Sequence, residues 1–171
     1  MIMKTFYYTV IIATFLSILM TGCKNDNSGQ PVVSGKLIRK SGCLNEKSGS
    51  LLMMTPDTLS CAEYFFYPST NKLLIDHYNA GFNCCPGDIG CNFSLDHDTI
   101  IIREFETDQP CKCNCMYNLE IELSGIESTS YQIKFVEPYC GDQEKLIFGV
   151  NLSVVTQGSY CVIRKEYPWG E

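Results

Sequence analysis

The chain has 171 residues, of which 45% are hydrophobic, and 13 basic and 19 acidic residues give it a formal net charge of −6. No cluster or stripe of Lys and Arg occurs, which excludes a nucleic-acid-binding protein of the usual basic kind. The part that follows residue 22 is long enough for a single domain with its own hydrophobic core.

The first 22 residues predict an export signal. Lys4 supplies a positive charge, an apolar stretch runs from Phe6 to Met20, and two small residues lead to Cys23. This order is typical of a secretory signal peptide. The run Leu19–Cys23 also resembles the lipobox of bacterial lipoproteins, with Met20 at the position where Leu is commonest. The resemblance implies cleavage before Cys23 and attachment of fatty acyl chains (palmitate or similar) to that cysteine, and two or more chains anchor a protein firmly.

Two other interpretations of this segment stay open. It is barely long enough for a transmembrane anchor, which needs about 20 apolar residues, and it could be an ordinary signal peptide in which Cys23 is incidental. We favour the lipoprotein because charge, apolar stretch and Gly-Cys occur in the expected order. The predicted organisation is a signal peptide over 1–22, a lipidated cysteine with a polar tether over 23–34, and one β domain over 35–171. Lys24 replaces the Asp that retains many lipoproteins in an inner membrane, which implies a cell-envelope location in the outer membrane, periplasmic or surface-exposed.

Short segments of alternating hydrophobicity follow along the chain, separated by turn residues such as Pro68–Asn71 and Asp96–Asp98. Alternation with period two predicts strands that are buried on one face. In 146–155 this pattern places Leu152 and Val154 inward. The predicted strands are 62–67, 72–78, 89–95, 99–105, 111–123, 131–135, 146–155 and 160–165. Eight short strands without a long amphipathic helix predict an all-β protein, an antiparallel β-sandwich.

Two stretches carry resemblances. In Gly125–Phe135 a loop leads to Tyr131 and then to alternating apolar residues, which resembles the approach to a late strand in immunoglobulin-like or fibronectin-like domains. The section Asn79–Leu119 is similar to uncharacterised exported bacterial proteins that have a Phe-Asn-Cys-Cys motif before a Cys-x-Cys run. The second resemblance implies no particular activity.

Cysteine is abundant, with eleven residues. In an exported chain, dense cysteines in even number indicate disulfides. After Cys23 is assigned to the anchor, ten candidates remain: Cys43, Cys61, Cys84, Cys85, Cys91, Cys111, Cys113, Cys115, Cys140 and Cys161.

Some pairings follow from the spacing. Adjacent cysteines rarely bond to each other, so Cys84 and Cys85 need separate partners. We expect two of the three cysteines in the run 111–115 to supply them. Cys91 would take the third or pair across strands, and the other cysteines would form the remaining bridges.

A metal site is the alternative use of this cluster. Five thiolates, from Cys84, Cys85, Cys111, Cys113 and Cys115, could hold zinc or copper(I). Structural zinc sites usually contain Cys-x₂₋₄-Cys pairs, which are absent, and export favours oxidation. We therefore predict disulfides, and neither a metal nor another cofactor.

Candidate catalytic groups are few. His77 follows Asp76 and His97 lies between two acids, but no nucleophile or zinc-protease motif accompanies them. Both histidines are therefore predicted to lie at the surface or in turns, and no catalytic residue is assigned. Four glutamates near the end of the predicted hairpin and on the long strand are interpreted as the solvated side of a sheet rather than glycosidase pairs: Glu104, Glu106, Glu120 and Glu122.

The sequence thus favours a non-enzymatic binding or accessory module, held on a membrane by its lipid anchor. The aromatic runs Tyr64–Tyr67 and Tyr167–Trp169 are candidate contacts for a protein or glycan partner, with half of the first run expected in the core. Nucleic acid is not an expected partner. The alternatives are the thiolate metal-binding protein and a protein inhibitor that presents rigid loops.

Overall fold

The computed structural model describes residues 33–44, 58–108 and 111–166, and every regular element in these ranges is a β-strand. Inside those ranges no helix has the length and apolarity to cross a bilayer. The predicted signal peptide, Cys23 and the run Tyr167–Trp169 lie outside the described residues. The strands are β1 (Ser34–Lys40), β2 (Leu59–Tyr67), β3 (Lys72–Asn83), β4 (Asp88–Asp96), β5 (Thr99–Thr107), β6 (Asn114–Ser124), β7 (Ser130–Val136), β8 (Ile147–Asn151) and β9 (Gln157–Ile163).

The strands form two sheets that enclose a shared core. One has five strands in the order β1-β6-β3-β2-β9, and the other has four in the order β4-β5-β7-β8. Neighbouring strands are antiparallel except β5 and β7, which run parallel. The predicted all-β sandwich is confirmed, and its second sheet is mixed rather than purely antiparallel.

Alternation along each strand builds the core. Leu73 and Ile75 on β3 and Ile100 and Ile102 on β5 are fully buried, whereas the residues between them are partly exposed. Successive side chains of a strand point to opposite faces, so each strand contributes every second residue to the interior. Burial of one such side chain stabilises the fold by about 1.5–3 kcal/mol.

The predicted turns are confirmed as well. Asn71 between β2 and β3 and His97 between β4 and β5 adopt left-handed backbone conformations, with φ of 52° and 55°. Tyr131, at the start of β7, accepts a hydrogen bond on its hydroxyl from the backbone N–H of Glu127 at 3.1 Å. This bond fixes the loop that enters β7.

Three predicted strands have wrong bounds, and one strand was missed. The strand predicted over 160–165 is shifted along the chain, since β9 spans Gln157–Ile163. The strand predicted from residue 111 begins at Asn114, because disulfides hold residues 111–113 in a bend. The strand predicted to reach 155 ends at Asn151, and Val154 is 75% exposed in the following turn instead of inward. Strand β1 was not predicted, since as an edge strand it leaves nearly all its residues exposed and shows no alternation.

The two ends of the sandwich differ in character. Strand β1 begins at one end, beside the turns 68–71 and 152–156, where the N–H of Phe66 donates to the carbonyl of Thr156 at 2.7 Å. We call the exposed apolar residues there, Tyr67, Val154 and Val155, the tip. The opposite end, where β3 finishes and β6 starts, contains most of the cysteines and is called the cysteine end.

Candidate functional site

Four disulfides cross-link the described chain, and three of them lie at the cysteine end. The bridges are Cys43–Cys115, Cys61–Cys161, Cys84–Cys113 and Cys85–Cys111. Together they tie the start of β6 to the segment after β1 and to the loop after β3. The loops of this end are therefore held covalently as well as by backbone hydrogen bonds.

The pairing of the adjacent cysteines is as expected from the spacing. Cys84 and Cys85 take separate partners, both from the run 111–115. The expectation for the third cysteine of that run was wrong, because Cys115 bonds to Cys43 and not to Cys91. The expectation of a fifth bridge was also wrong: Cys91 and Cys140 are free thiols.

The sulfur atoms at the cysteine end form a tight group. The Sγ atoms of Cys84, Cys111 and Cys113 all lie within 4.8 Å of one another. Asn83 supports this group, since its side-chain amide donates to the carbonyl of Cys111 at 2.6 Å and its Oδ1 accepts the N–H of Cys85 at 2.9 Å. Cys115 is 1% exposed and bonded elsewhere, so it does not belong to the group.

A second cluster, of polar side chains, is buried between the sheets. Nδ1 of His77 lies 2.6 Å from Oε1 of Glu104, and Nε2 lies 2.9 Å from Oγ of Ser60. The side chains of His77 and Glu104 have no exposed surface, and Ser60 is fully buried. The ring of Phe135 packs against the imidazole with ring centroids 4.7 Å apart.

An ion pair continues this buried cluster. Nη2 of Arg164 donates to both carboxylate oxygens of Glu137, at 2.6 and 2.7 Å, and Nη1 donates to the carbonyl of Glu144 at 2.5 Å. The same Nη1 lies 3.1 Å from Sγ of the free thiol Cys140. Glu137 also lies 3.9 Å from Nε2 of His77. The pair and the histidine therefore share one buried network of charges.

The environment shifts the pKa values of both His77 and Glu104. Burial acts to lower the pKa of His77, but the charge and hydrogen bond of Glu104 and the charge of Glu137 outweigh it, so this pKa is raised. Burial raises the pKa of Glu104 despite the neighbouring histidine. Among the described residues, Oε2 of Glu104 has no hydrogen-bond partner. The folded protein therefore holds a proton on this pair more tightly than the unfolded chain does.

Ser60, His77 and Glu104 have the order of a hydrolase triad, in which an acid orients a histidine that activates a hydroxyl. A nucleophile must also reach a substrate carbonyl next to donors for the developing oxyanion. The Ser60 hydroxyl lies inside the core with no exposed surface. The arrangement therefore acts as an internal connection between β2, β3 and β5 in the folded state.

The sequence predictions for His77 and Glu104 were wrong, because both residues are interior. Alternation along the strands would have predicted their burial, because every second residue of each strand faces the core. His77 follows Leu73 and Ile75 in this series on β3, and Glu104 follows Ile100 and Ile102 on β5. Glu106 also faces inward at the end of β5. It accepts a hydrogen bond from the hydroxyl of Tyr139 at 2.5 Å and one from the N–H of Asn83 at 2.8 Å.

The other candidates are at the surface as predicted. His97 lies in its turn, with Nδ1 2.8 Å from the carboxylate of Asp96. Glu120 and Glu122 lie on the outer face of the five-stranded sheet, where Arg39 contacts Glu120 at 2.5 Å. Two lysines beside Glu122 lower the pKa of its carboxyl.

The aromatic run of β2 divides as expected between core and surface. Tyr64 and Phe66 are buried, at 7% and 4% exposure, whereas Tyr67 is 48% exposed. Val155, in the neighbouring turn, is also 48% exposed.

The chain matches no family model, no curated protein and no solved structure.

Proposed function

We propose that the protein is a lipid-anchored lipoprotein of the cell envelope that acts as a non-enzymatic binding module and binds its partner through the cysteine end. The observation that supports this most is the concentration of three disulfides at one end of the sandwich. Loops fixed in one conformation lose little entropy on binding, so pre-organisation favours affinity. A partner protein or glycan is the expected ligand class.

The buried network supports the non-enzymatic part of the proposal. Residues with catalytic potential, Ser60, His77 and Glu104, are engaged with one another inside the core. Turnover of an ester, peptide or glycoside that disappears in Ser60→Ala would overturn this part.

The binding part is tested with a photoactivatable amino acid at Lys112, which is exposed between two bridged cysteines. Gly149, exposed on the edge strand β8, is the matched control position. Ultraviolet irradiation of intact cells should yield an adduct of discrete mass from position 112 and none from position 149. Replacement of Cys85 and Cys111 by Ser should weaken the adduct while the lipoprotein is still exported. Equal labelling at both positions would contradict a defined binding end.

A second candidate function is metal binding through thiolates, favoured by the group of sulfur atoms within 4.8 Å. Reduction of two bridges would release Cys84, Cys85, Cys111 and Cys113, whose number and chemistry suit zinc or copper(I). Cys115, included in the sequence-based metal set, would stay with Cys43. Intact mass before and after alkylation, together with metal analysis of protein purified from the envelope, decides between the two. Stoichiometric metal with four free thiols beyond Cys91 and Cys140 would support metal binding.

A further inference from the structure

The turn between β8 and β9 presents two adjacent valines to solvent. Val154 is 75% and Val155 is 48% exposed. Both of their backbone N–H groups donate to the carbonyl of Asn151, at 3.1 and 2.9 Å, and the N–H of Ser153 donates to the Asn151 side chain at 3.2 Å. This turn is therefore closed by hydrogen bonds, and the valines are held outward in a defined shape.

Charge is absent from the two segments that meet at this tip. Neither 64–71 nor 146–163 contains an Asp, Glu, Lys or Arg residue. They are joined by the hydrogen bond from Phe66 to Thr156 at 2.7 Å, which places Tyr67 next to the valine turn. An exposed apolar patch without charge is typical of a surface that contacts a partner or a membrane.

The position of β1 indicates which of these the tip contacts. Ser34 pairs with Ser124, and Lys72 pairs with the same residue at the start of β3, so the chain enters the domain at the tip end. Ten residues lie between Cys23 and Ser34, which is eleven positions further along the chain. A flexible linker of that length spans roughly 17–20 Å on average, whereas the twelve residues of β3 extend about 40 Å. A lipid on Cys23 therefore keeps the tip end close to the membrane.

We propose that the tip, Tyr67 with Val154 and Val155, docks on the lipid surface that carries the Cys23 anchor. This inference rests on the proposed lipid anchoring. It deepens the proposed function, since the domain then stands upright with its cysteine end directed away from the membrane.

Charge at the same end sets the preferred lipid. The acids Asp96, Asp98 and Glu127 are exposed in loops at this end. The nearest cation, Lys72, pairs with Tyr67 but forms an ion pair with Glu122 at 3.0 Å. Like charges repel, so docking should be firm on zwitterionic lipid and weaker on anionic lipid at low salt.

The test uses the mature lipidated protein in vesicles of zwitterionic phosphatidylcholine with brominated acyl chains, which quench nearby tryptophan. With Trp169→Phe as background, Val154→Trp reports on the tip and Asp142→Trp, in the exposed loop after β7, reports on the cysteine end. Quenching of Val154→Trp should exceed that of Asp142→Trp at least twofold. In Tyr67→Trp, an added Val154→Asp substitution should reduce quenching, and the similar-sized Val154→Thr should reduce it less.

The outcomes separate the two proposals. Protein that floats with vesicles but shows equal or reversed quenching at the two positions overturns docking and leaves the anchor in place. Protein that carries no lipid and does not float overturns both. A second copy of the chain as occupant would give a cross-linked dimer in detergent that Val154→Asp abolishes, and this result would also overturn docking on lipid.

Discussion

Replacement of Arg164 tests how the buried network stabilises the fold. The side chain of Arg164 has no exposed surface and that of Glu137 is 2% exposed, so Arg164→Met leaves a carboxylate in the core without its guanidinium. Methionine retains much of the length and apolar volume of the arginine stem. The variant therefore removes charge and hydrogen bonds more than it removes packing.

The expected loss follows from desolvation. Removal of one partner of a buried ion pair costs about 3–5 kcal/mol, because the remaining charge is uncompensated. The whole free energy of unfolding of such a domain is about 5–15 kcal/mol. For a domain of this size the loss corresponds to a fall in Tm of roughly 6–20 °C.

The control is the same substitution at a solvated pair. Arg39 contacts Glu120 at 2.5 Å, but its side chain is 76% exposed. Arg39→Met should cost about 0–1 kcal/mol, because water screens an exposed pair. Urea denaturation of the oxidised protein at pH 7 measures both losses. The double variant Glu137→Gln/Arg164→Met, which removes both charges, should recover part of the loss.

Two results would refute this reasoning. Equal losses for Arg164→Met and Arg39→Met would mean that burial does not set the strength of the pair. A double variant as unstable as Arg164→Met would mean that packing, and not the unpaired charge of Glu137, causes the loss.

Three further predictions concern the thiols, a bridge and pH. Alkylation should modify two cysteines, Cys91 and Cys140, only after denaturation. Burial and then the charge of Glu104 raise the pKa of the Cys91 thiol, which keeps it protonated and unreactive in the native protein. Mass spectrometry checks this, and rapid labelling of the native protein would contradict it. Replacement of Cys61 and Cys161 by Ala should cost about 4–5 kcal/mol in chemical denaturation, because the bridge closes a loop with a sequence separation of 100; a loss below about 1 kcal/mol would contradict the loop-entropy argument. Because folding raises the pKa of His77, the protonated imidazole stabilises the fold fully below the unfolded-state pKa of about 6.5. This stabilisation is lost as the pH rises through the folded-state pKa, with a slope of about 1.4 kcal/mol per pH unit in the free energy of unfolding. Denaturation midpoints across pH 6–9 test this, and His77→Phe should flatten the slope.

Local pattern was enough to predict much of the fold. The hairpin of β4 and β5 was recognisable because Asp96–Asp98 interrupts two alternating segments, and hydrophobic period is a property of neighbouring residues. In the run 111–115 the local pattern gave a wrong prediction. Cysteines at alternate positions have the period of a strand, but disulfides to the loop 84–87 bend the chain there.

The buried network was not predicted because its members are far apart in sequence. Ser60 meets His77 over 17 residues and Glu104 meets His77 over 27. A single polar residue on a strand is usually solvated, and only the partners on other strands reverse that expectation. Arg164, just after β9, meets Glu137, just after β7, because the two sheets stack, which no local pattern encodes.

The order of the cysteines along the chain has a consequence for biogenesis. If the chain is exported as proposed, it emerges from its N-terminus, and the two bridges that flank the β4–β5 hairpin join residues only 26 and 29 positions apart. They can close as soon as that hairpin has crossed the membrane. Cys61, by contrast, waits for Cys161, which follows 100 residues later. During that interval Cys61 is unpaired while Cys84 and Cys85 form their bridges, so thiol–disulfide exchange would repair any mispaired intermediate, and yield should depend on the disulfide isomerase of the host compartment.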